Sequence, residues 1–484
     1  MQMFTLILIL LTVVLTIGAI LHVLLDNRQP AKTMAWVLVM LFLPVVGLLI
    51  YLFIGVNHRR ERLVSQLSLG QLTKRSMLNF VEQPELRVPD SHRLLIDQFV
   101  NQSMSLPFKD SHVDIMTDGY AFFPELLADI AAAQHHIHID MYIFEDDALG
   151  RLVSDALRAK AQSGVEVRVI YDDIGCWGVP NSFFEAMRED GVEVASFLPV
   201  RFPSFISKAN YRNHRKLIVI DGRVGYIGGM NIALRYVKGK KWKIGKKSGG
   251  KTQMPWRDTM LRLTGGAVYG MQRTFLIDWY FVDRTLITSR VYYPKYDVGD
   301  NKCLVQVVTS APTVPYPQIM QGYVRAILSA RRYVYIETPY FLPSDPVLFA
   351  LKTAALSGVD VRILCPLYSD ARYTDLASRS FLREMQEAGA SVLLYRTGVL
   401  HSKLMVSDDS LSTCGSTNAD FRSFENNFEA NVFIYDQGVA LRLKKVFLDD
   451  QAQSVPLTDL PKRLHPRFTK RLVESLVRLL SPLM

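Results

Sequence analysis

Beyond residue 107 the sequence repeats itself, and a repeat this long commits the chain to two similar structural units. In the first copy, residues 130–140 read as a helix end running into an alternating strand, 148–163 as a helix and 164–170 as a second strand. Residues 327–337, 347–357 and 358–364 follow the same order in the second copy. Strand, helix, strand in each copy indicates right-handed βαβ units and an α/β class. The expected fold is therefore two duplicated α/β halves, 108–295 and 296–484, with helices on both faces of mainly parallel sheets. Residues 57–107, with Pro84, Pro89 and Pro107, read as a connecting segment.

What precedes that segment is apolar. Residues 4–25 carry no formal charge, and at ~1.5 Å per residue a helix of that length crosses a hydrocarbon core of ~30 Å. Residues 34–54 are again uncharged and contain Pro44 and Gly47. Trp36 and Tyr51 stand near the two ends of this run, where aromatic rings favour the membrane interface. The expectation is a transmembrane helical hairpin over 1–56. A cleaved signal peptide would need a basic leading region and a small-residue cleavage site, and neither pattern is there. Arg28 and Lys32 lie in the hairpin loop, whereas His58, Arg59, Arg60 and Arg62 and a basic remainder follow it. That asymmetry places the large C-terminal part in the cytoplasm, anchored in the cytoplasmic membrane by two passes.

The net charge of +10, from 56 Lys and Arg against 46 Asp and Glu, favours a polyanionic partner. Charge does not choose between nucleic acid and anionic lipid; the apolar hairpin selects the bilayer. The four cysteines are scattered, without disulfide or zinc spacing.

Each copy ends in the pattern His-x-Lys-x4-Asp: His214, Lys216 and Asp221 in the first, His401, Lys403 and Asp408 in the second. Seven residues after each Asp comes a glycine that opens a turn, Gly228-Gly-Met-Asn231 or Gly415-Ser-Thr-Asn418. One such match is compatible with a basic strand beside a turn, but two in a duplicated chain require independent positions to agree. Alternation along a strand puts each His and Lys on one face. Each Asp, at an odd offset from its Lys, falls on the other face and reads as a support for the pair. The glycine turns are expected to bring backbone N–H groups, with the Asn231 and Asn418 amides, close to a phosphate.

Two histidines, two lysines and two asparagines make a cationic, donor-rich pocket suited to one phosphodiester, and no cluster calls for a metal or a cofactor. One histidine can attack phosphorus while the other protonates the leaving alkoxide and later activates the incoming alcohol. Each needs an orienting partner on its other ring nitrogen. Asp258 in the first copy and Glu429 in the second stand at corresponding positions for this role.

At these residues the chain resembles the phospholipase D superfamily, whose signature is HxKxxxxD followed by a Gly-Gly or Gly-Ser-x-Asn turn. Within it the resemblance is closest to bacterial cardiolipin synthases, through Asn213, the turns, Pro255-Trp-Arg-Asp258, Glu337-Thr-Pro-Tyr-Phe341 and Asp420-x-Arg422-Ser-Phe424. It covers essentially the whole chain, hairpin included. It implies reversible phosphatidyl transfer between two phosphatidylglycerol molecules, giving cardiolipin and glycerol through a phosphatidyl-histidine. Both triplets, Asp221 and Asp408 among them, match the family's catalytic residues, with His214 as the attacking histidine by analogy. Glu337, where many relatives have Gln, and Ala419, which interrupts the usual Asn-Leu-Asp, depart from the pattern.

Three further segments admit two readings. Residues 238–251, with seven lysines and Trp242, are either a solvated loop or a contact for anionic headgroups. In the C-terminal stretch 467–480 the narrow stripe Phe468, Leu472, Leu476 and Leu479 favours packing against the catalytic domain over membrane contact. His135, His136 and His138 resemble a metal tract, but their counterparts Arg331, Arg332 and Tyr335 do not. Rival functions are a membrane phospholipase D that uses water and a superfamily nuclease or phosphodiesterase. Against the nuclease stand the hairpin and the lack of aromatic residues interleaved with basic ones, so no nucleic-acid partner is expected.

Overall fold

The computed structural model describes residues 2–25, 30–51, 88–200, 211–243, 251–296, 303–314 and 316–481. The chain divides into two units, Met1–Arg62 with Val200–Tyr211, and Leu63–Pro199 with Arg212–Met484.

In the first unit the helix Gln2–Leu25 contains the one candidate membrane span among the described residues, Met3–Leu25. The second apolar run departs from the expected second pass of the hairpin. It forms two helices, Pro30–Phe42 and Pro44–Ile50, and the chain folds back between them. Pro44 has no N–H to donate and keeps Leu43 out of helical geometry, at φ −133° and ψ 67°. Gly47 allows the return, because a Cβ there would sit 2.5 Å from the Val39 carbonyl oxygen. Trp36 and Tyr51, expected at opposite interfaces, meet edge to face with ring centroids 5.4 Å apart. A 13-residue helix reaches only ~20 Å, short of the ~30 Å core. Residues 26–29 and 52–56 of the expected hairpin, and 57–87 of the expected connecting segment, lie outside the described residues.

In the second unit both halves contribute to one sixteen-stranded mixed sheet rather than to separate, mainly parallel sheets. From the centre outward the first half runs Pro107–Met116, Met260–Gly265, Val224–Gly228, Lys216–Ile220, His136–Met141, Glu166–Asp172 and Glu193–Phe197. The second half repeats that order as Cys303–Ser310, Asn427–Ile434, Leu411–Gly415, Leu404–Ser407, Tyr333–Glu337, Asp360–Pro366 and Ser391–Tyr395. Three successive strands of each half run parallel to one another, the first two joined by the predicted crossover helices Ala148–Gln162 and Asp345–Leu356 and the last two by Asn181–Glu189 and Arg372–Glu387. The inner strands are antiparallel because each motif strand turns straight back: Asp221 (φ +53°) and Asp408 (φ +52°) hold left-handed turns that close hairpins. Pro107–Met116 pairs with Cys303–Ser310 and fuses the halves edge to edge.

Apolar cores lie against each half of the sheet, one around Phe122, Ile139 and Ile218, the other around Phe341, Ile363 and Met405. Part of the connecting segment belongs to the second core. Helix Arg93–Ser103 buries Leu95, Ile96 and Phe99, the last against Phe433. Of the basic loop, Lys240–Lys243 and Lys251–Met254 pair as an antiparallel ribbon, and 244–250 lie outside the described residues.

The C-terminal helix Phe468–Arg478 packs against the second unit, but not through the expected stripe. Its apolar stripe faces outward, and its polar edge meets the helix Arg372–Glu387 through the buried Glu474, paired with Arg383, and the half-buried pair of Arg478 with Glu384.

Candidate active site

Two features of the strand pairing bring the motif copies together. Arg212–Asn213, just before His214, pairs in parallel with Asn427 and Phe428 of the second half, and the His214 N–H donates to the Phe428 carbonyl at 2.9 Å. Val399–Leu400, just before His401, pairs with Trp256 and Arg257 of the first half, and the His401 N–H donates to the Arg257 carbonyl at 2.7 Å. Each histidine is thus stitched to the other half, one residue from that half's carboxylate.

The expected pairing within each copy is therefore exchanged. His214 Nδ1 lies 2.9 Å from Glu429 Oε1 and 3.2 Å from Oε2, and His401 Nδ1 lies 2.7 Å from Asp258 Oδ2. A carboxylate only accepts, so His214 Nδ1 carries the proton and its Nε2 keeps a lone pair; Asp258 assigns the same proton to His401 Nδ1, which also has Lys403 Nζ 2.6 Å away. Both carboxylates are fully buried.

The glycine turns serve these carboxylates. The Gly229 N–H donates to the Thr259 carbonyl and the Ser416 N–H to the Ala430 carbonyl, so neither is left for the expected phosphate contact. A Cβ on Gly229 would stand 2.0 Å from Asp258 Oδ1; only glycine leaves room for that carboxylate. In the second half the longer Glu429 receives the Ser416 hydroxyl and the Asn427 amide, the latter at 3.2 Å. Gly-Gly goes with Asp and Gly-Ser with Glu.

Lys216 and Lys403 share the face of their histidines. Lys216 Nζ donates to the His214 carbonyl at 2.6 Å and lies 4.9 Å from the Tyr142 ring centroid; Lys403 Nζ donates to the His401 carbonyl. Burial pushes His214 down to about 4, against the pull of Glu429, and Lys216 down to about 7. Burial likewise lowers Lys403, and burial with the neighbouring Lys403 lowers His401. Lys403 also acts on His214 and Lys216 through space, so one electrostatic site spans both halves. Although burial disfavours their charge, Asp258 is held below its usual range by Lys403 and His401, and Glu429 by His214 and Lys216.

Asp221 accepts the N–H groups of Gln134, His135 and His136 at 2.7–2.9 Å. Asp408 does the same for Arg331, Arg332 and Tyr333 at 2.7–3.0 Å. Each ties the end of its motif strand to the start of the adjacent strand. The Asn231 amide accepts from the Ile143 N–H at 3.1 Å and donates one of its two hydrogens to the Tyr236 hydroxyl at 2.6 Å. Asn418 donates to Asp420 at 3.0 Å, and its Oδ1 is buried without a hydrogen-bond partner among the described residues.

Each half also holds a buried pair of carboxyl groups with one arginine, which the motif reading did not single out. Asp140 and Asp278 flank Arg215, and Asn213 donates to Asp140 at 2.6 Å; Glu337 and Asp450 flank Arg257, whose Nη2 is 2.7 Å from Asp450 Oδ2. Burial, then the neighbouring carboxylate, raises Asp140 and Glu337, which keeps one proton in each pair. Asp140 and Glu337 occupy equivalent places in the repeat, a signal available in the sequence. The histidine tract is structural: Gln272 bridges His136 and His138 at 2.9 and 2.8 Å.

Comparison with known proteins places this arrangement. The family described as "Cardiolipin synthase, PLD-like domain" matches residues 126–241 and 323–451, and "Phospholipase_D-nuclease N-terminal" matches 14–55. The chain is 38% identical to the cardiolipin synthase of Oceanobacillus iheyensis over 98% of both chains. It is 37% identical to the major cardiolipin synthase ClsA of Bacillus subtilis over 96% of both. Among solved structures, the phosphatidylserine synthase of Haemophilus influenzae shares the fold, with a TM-score of 0.60 at 14% identity, over 82% of this chain and 100% of that one. Matched nearly end to end by these relatives, the chain belongs to the cardiolipin synthase family of the phospholipase D superfamily.

Proposed function

We propose that this membrane-bound phosphatidyltransferase makes cardiolipin by double displacement at phosphorus, with His214 as nucleophile and His401 as acid and base. The supporting observation is the exchanged pairing of His214 with Glu429 and His401 with Asp258, which leaves both Nε2 atoms free for one substrate.

The phosphodiester of one phosphatidylglycerol binds between Lys216 and Lys403, whose charges offset that of the phosphate oxygens. Its negative charge also raises the proton affinity of His401, equipping that ring as the acid. His214 Nε2 attacks phosphorus, the bond to the glycerol oxygen breaks, and His401 gives its Nε2 proton to the departing alkoxide. Glu429 balances the positive charge that grows on the His214 ring. Glycerol leaves, and the hydroxyl of a second phosphatidylglycerol gives its proton to His401 and attacks phosphorus. The bond to His214 breaks and cardiolipin forms. One phosphodiester replaces another, so the transfer is reversible and needs no nucleotide. Asp221 and Asp408 act in this scheme by holding the motif strands, and Asn231 and Asn418 by bracing the pocket wall, with a remaining amide hydrogen for phosphate.

The fold-back at Pro44 supports one span followed by a re-entrant turn. The basic residues that follow the turn in sequence, Arg59, Arg60 and Arg62, then assign the catalytic unit to the cytoplasmic side. The division into halves at 108–295 and 296–484 follows the repeat.

The test is incubation with phosphatidylglycerol alone, followed by lipid separation. Cardiolipin with an equal amount of glycerol supports transfer; phosphatidic acid as the sole lipid product would overturn it in favour of hydrolysis.

A further inference from the structure

Helix Phe468–Arg478 is amphipathic, and it is docked the wrong way round for a helix that only packs. Its polar edge is turned inward. Glu474 is fully buried, 2.8 Å from Arg383 Nη1 and 3.7 Å from Arg379 Nη1. Arg478 pairs with Glu384 at 2.7 Å and lies 3.8 Å from the Phe381 ring centroid. All four partners sit on the helix Arg372–Glu387.

The apolar edge is turned outward. Phe468 is 78% exposed and Leu479 75%, with Leu472, Val473, Leu476 and Leu480 exposed between them. At ~100° per residue these six form one arc of roughly 140°, centred opposite Glu474. Ion pairs, with Val477 packed half-buried on the core beside them, hold the arc away from it. Lys470 and Arg471 fall on its two flanks, and Arg467 is exposed at its start. Cations bordering an apolar arc match a surface of anionic headgroups above acyl chains, where long basic side chains reach the phosphates.

We propose that the outward arc of Phe468–Arg478 inserts into the headgroup and upper acyl region of an anionic phospholipid bilayer. It seats the catalytic unit on the surface that holds its substrate. The substrate part rests on the lipid-transfer reading above; the docking itself does not.

The experiment uses the full chain in phosphatidylcholine vesicles with and without phosphatidylglycerol. Leu476→Cys, in a Cys303→Ser background, is labelled with an environment-sensitive fluorophore; the remaining cysteines are buried. The proposal expects blue-shifted emission, quenching by nitroxide on lipid acyl chains and protection from aqueous iodide, all strengthening with phosphatidylglycerol content and weakened by Lys470→Gln with Arg471→Gln. A label open to iodide and untouched by the lipid nitroxide would overturn it. So would protection from both quenchers, which would mean that another segment or a second copy covers the arc. Leu472→Ser with Leu476→Ser should raise KM for vesicle phosphatidylglycerol severalfold and leave kcat unchanged. If the label inserts but no cardiolipin forms, the reaction reading fails and the docking stands.

Discussion

Glu429→Gln isolates the charge behind the nucleophile. The two side chains are nearly isosteric, and the amide oxygen can still accept from His214 Nδ1 across the 2.9 Å contact. What disappears is a buried negative charge facing a ring that becomes cationic as the phosphorus–nitrogen bond forms. Charges ~4 Å apart at an effective dielectric constant of ~20 interact by about 4 kcal/mol, and hydrogen bonds to charged groups contribute about 1.5–3 kcal/mol. A transition-state loss of about 2–4 kcal/mol lowers kcat about 30- to 1000-fold. KM should stay near wild type, because Glu429 faces the ring and not the lipid. The assay follows glycerol release from labelled phosphatidylglycerol in a single turnover, with denaturing quench to trap phosphatidyl-enzyme. Glu429→Gln should slow formation of the adduct itself. Asp258→Asn, behind the proposed acid, should slow glycerol release without changing which histidine carries the lipid. A Glu429→Gln enzyme that folds normally and forms adduct within about threefold of the wild-type rate, a barrier change of only about 0.7 kcal/mol, would refute the reasoning.

Burial sets the pH window. With His214 down to about 4 and Lys216 down to about 7, the free enzyme has a neutral nucleophile and a charged lysine only between those values. The dependence of kcat/KM on pH should therefore fall below about 4 and above about 7, and Lys216→Arg, which stays charged, should remove the alkaline fall at lower overall rate; a Lys216→Arg profile still falling near 7 would exclude Lys216 as its source. Asp221→Ala removes three acceptors for backbone N–H groups and puts alanine at φ +53°, which should cost about 2–5 kcal/mol in unfolding of the detergent-solubilised protein. Activity per folded molecule should stay near wild type, and inactivity in a fully folded sample would return Asp221 to the chemistry. Glu337 is raised by burial and by Asp450, so its contribution to stability is present below its unfolded value and is lost as pH rises through the folded one. Glu337→Gln keeps the neutral form, and its unfolding free energy should lose less than wild type between pH 5 and 9, read by denaturant titration at each pH.

The chain by itself determined whatever depends on near neighbours. The repeat set the order of elements in each half. The two-residue period of a strand put His214 with Lys216 and His401 with Lys403, and the odd offset turned Asp221 and Asp408 toward the backbone of the adjacent strand. Only the tertiary structure decided which carboxylate serves which histidine. Glu429 is 215 residues from His214 and Asp258 is 143 from His401, and short parallel pairings between the halves exchange the partners. No local pattern records that exchange, since either pairing satisfies the same residues.

The same limit explains the other departures. The run 34–54 is long enough to span, but the place where Pro44 folds it back depends on Gly47 meeting Val39. The stripe from Phe468 to Leu479 shows that the helix has an apolar side, whereas the buried pairing of Glu474 with Arg379 and Arg383 decides that this side faces out. Periodicity states which residues share a face; only the charges packed against the opposite face determine where it points.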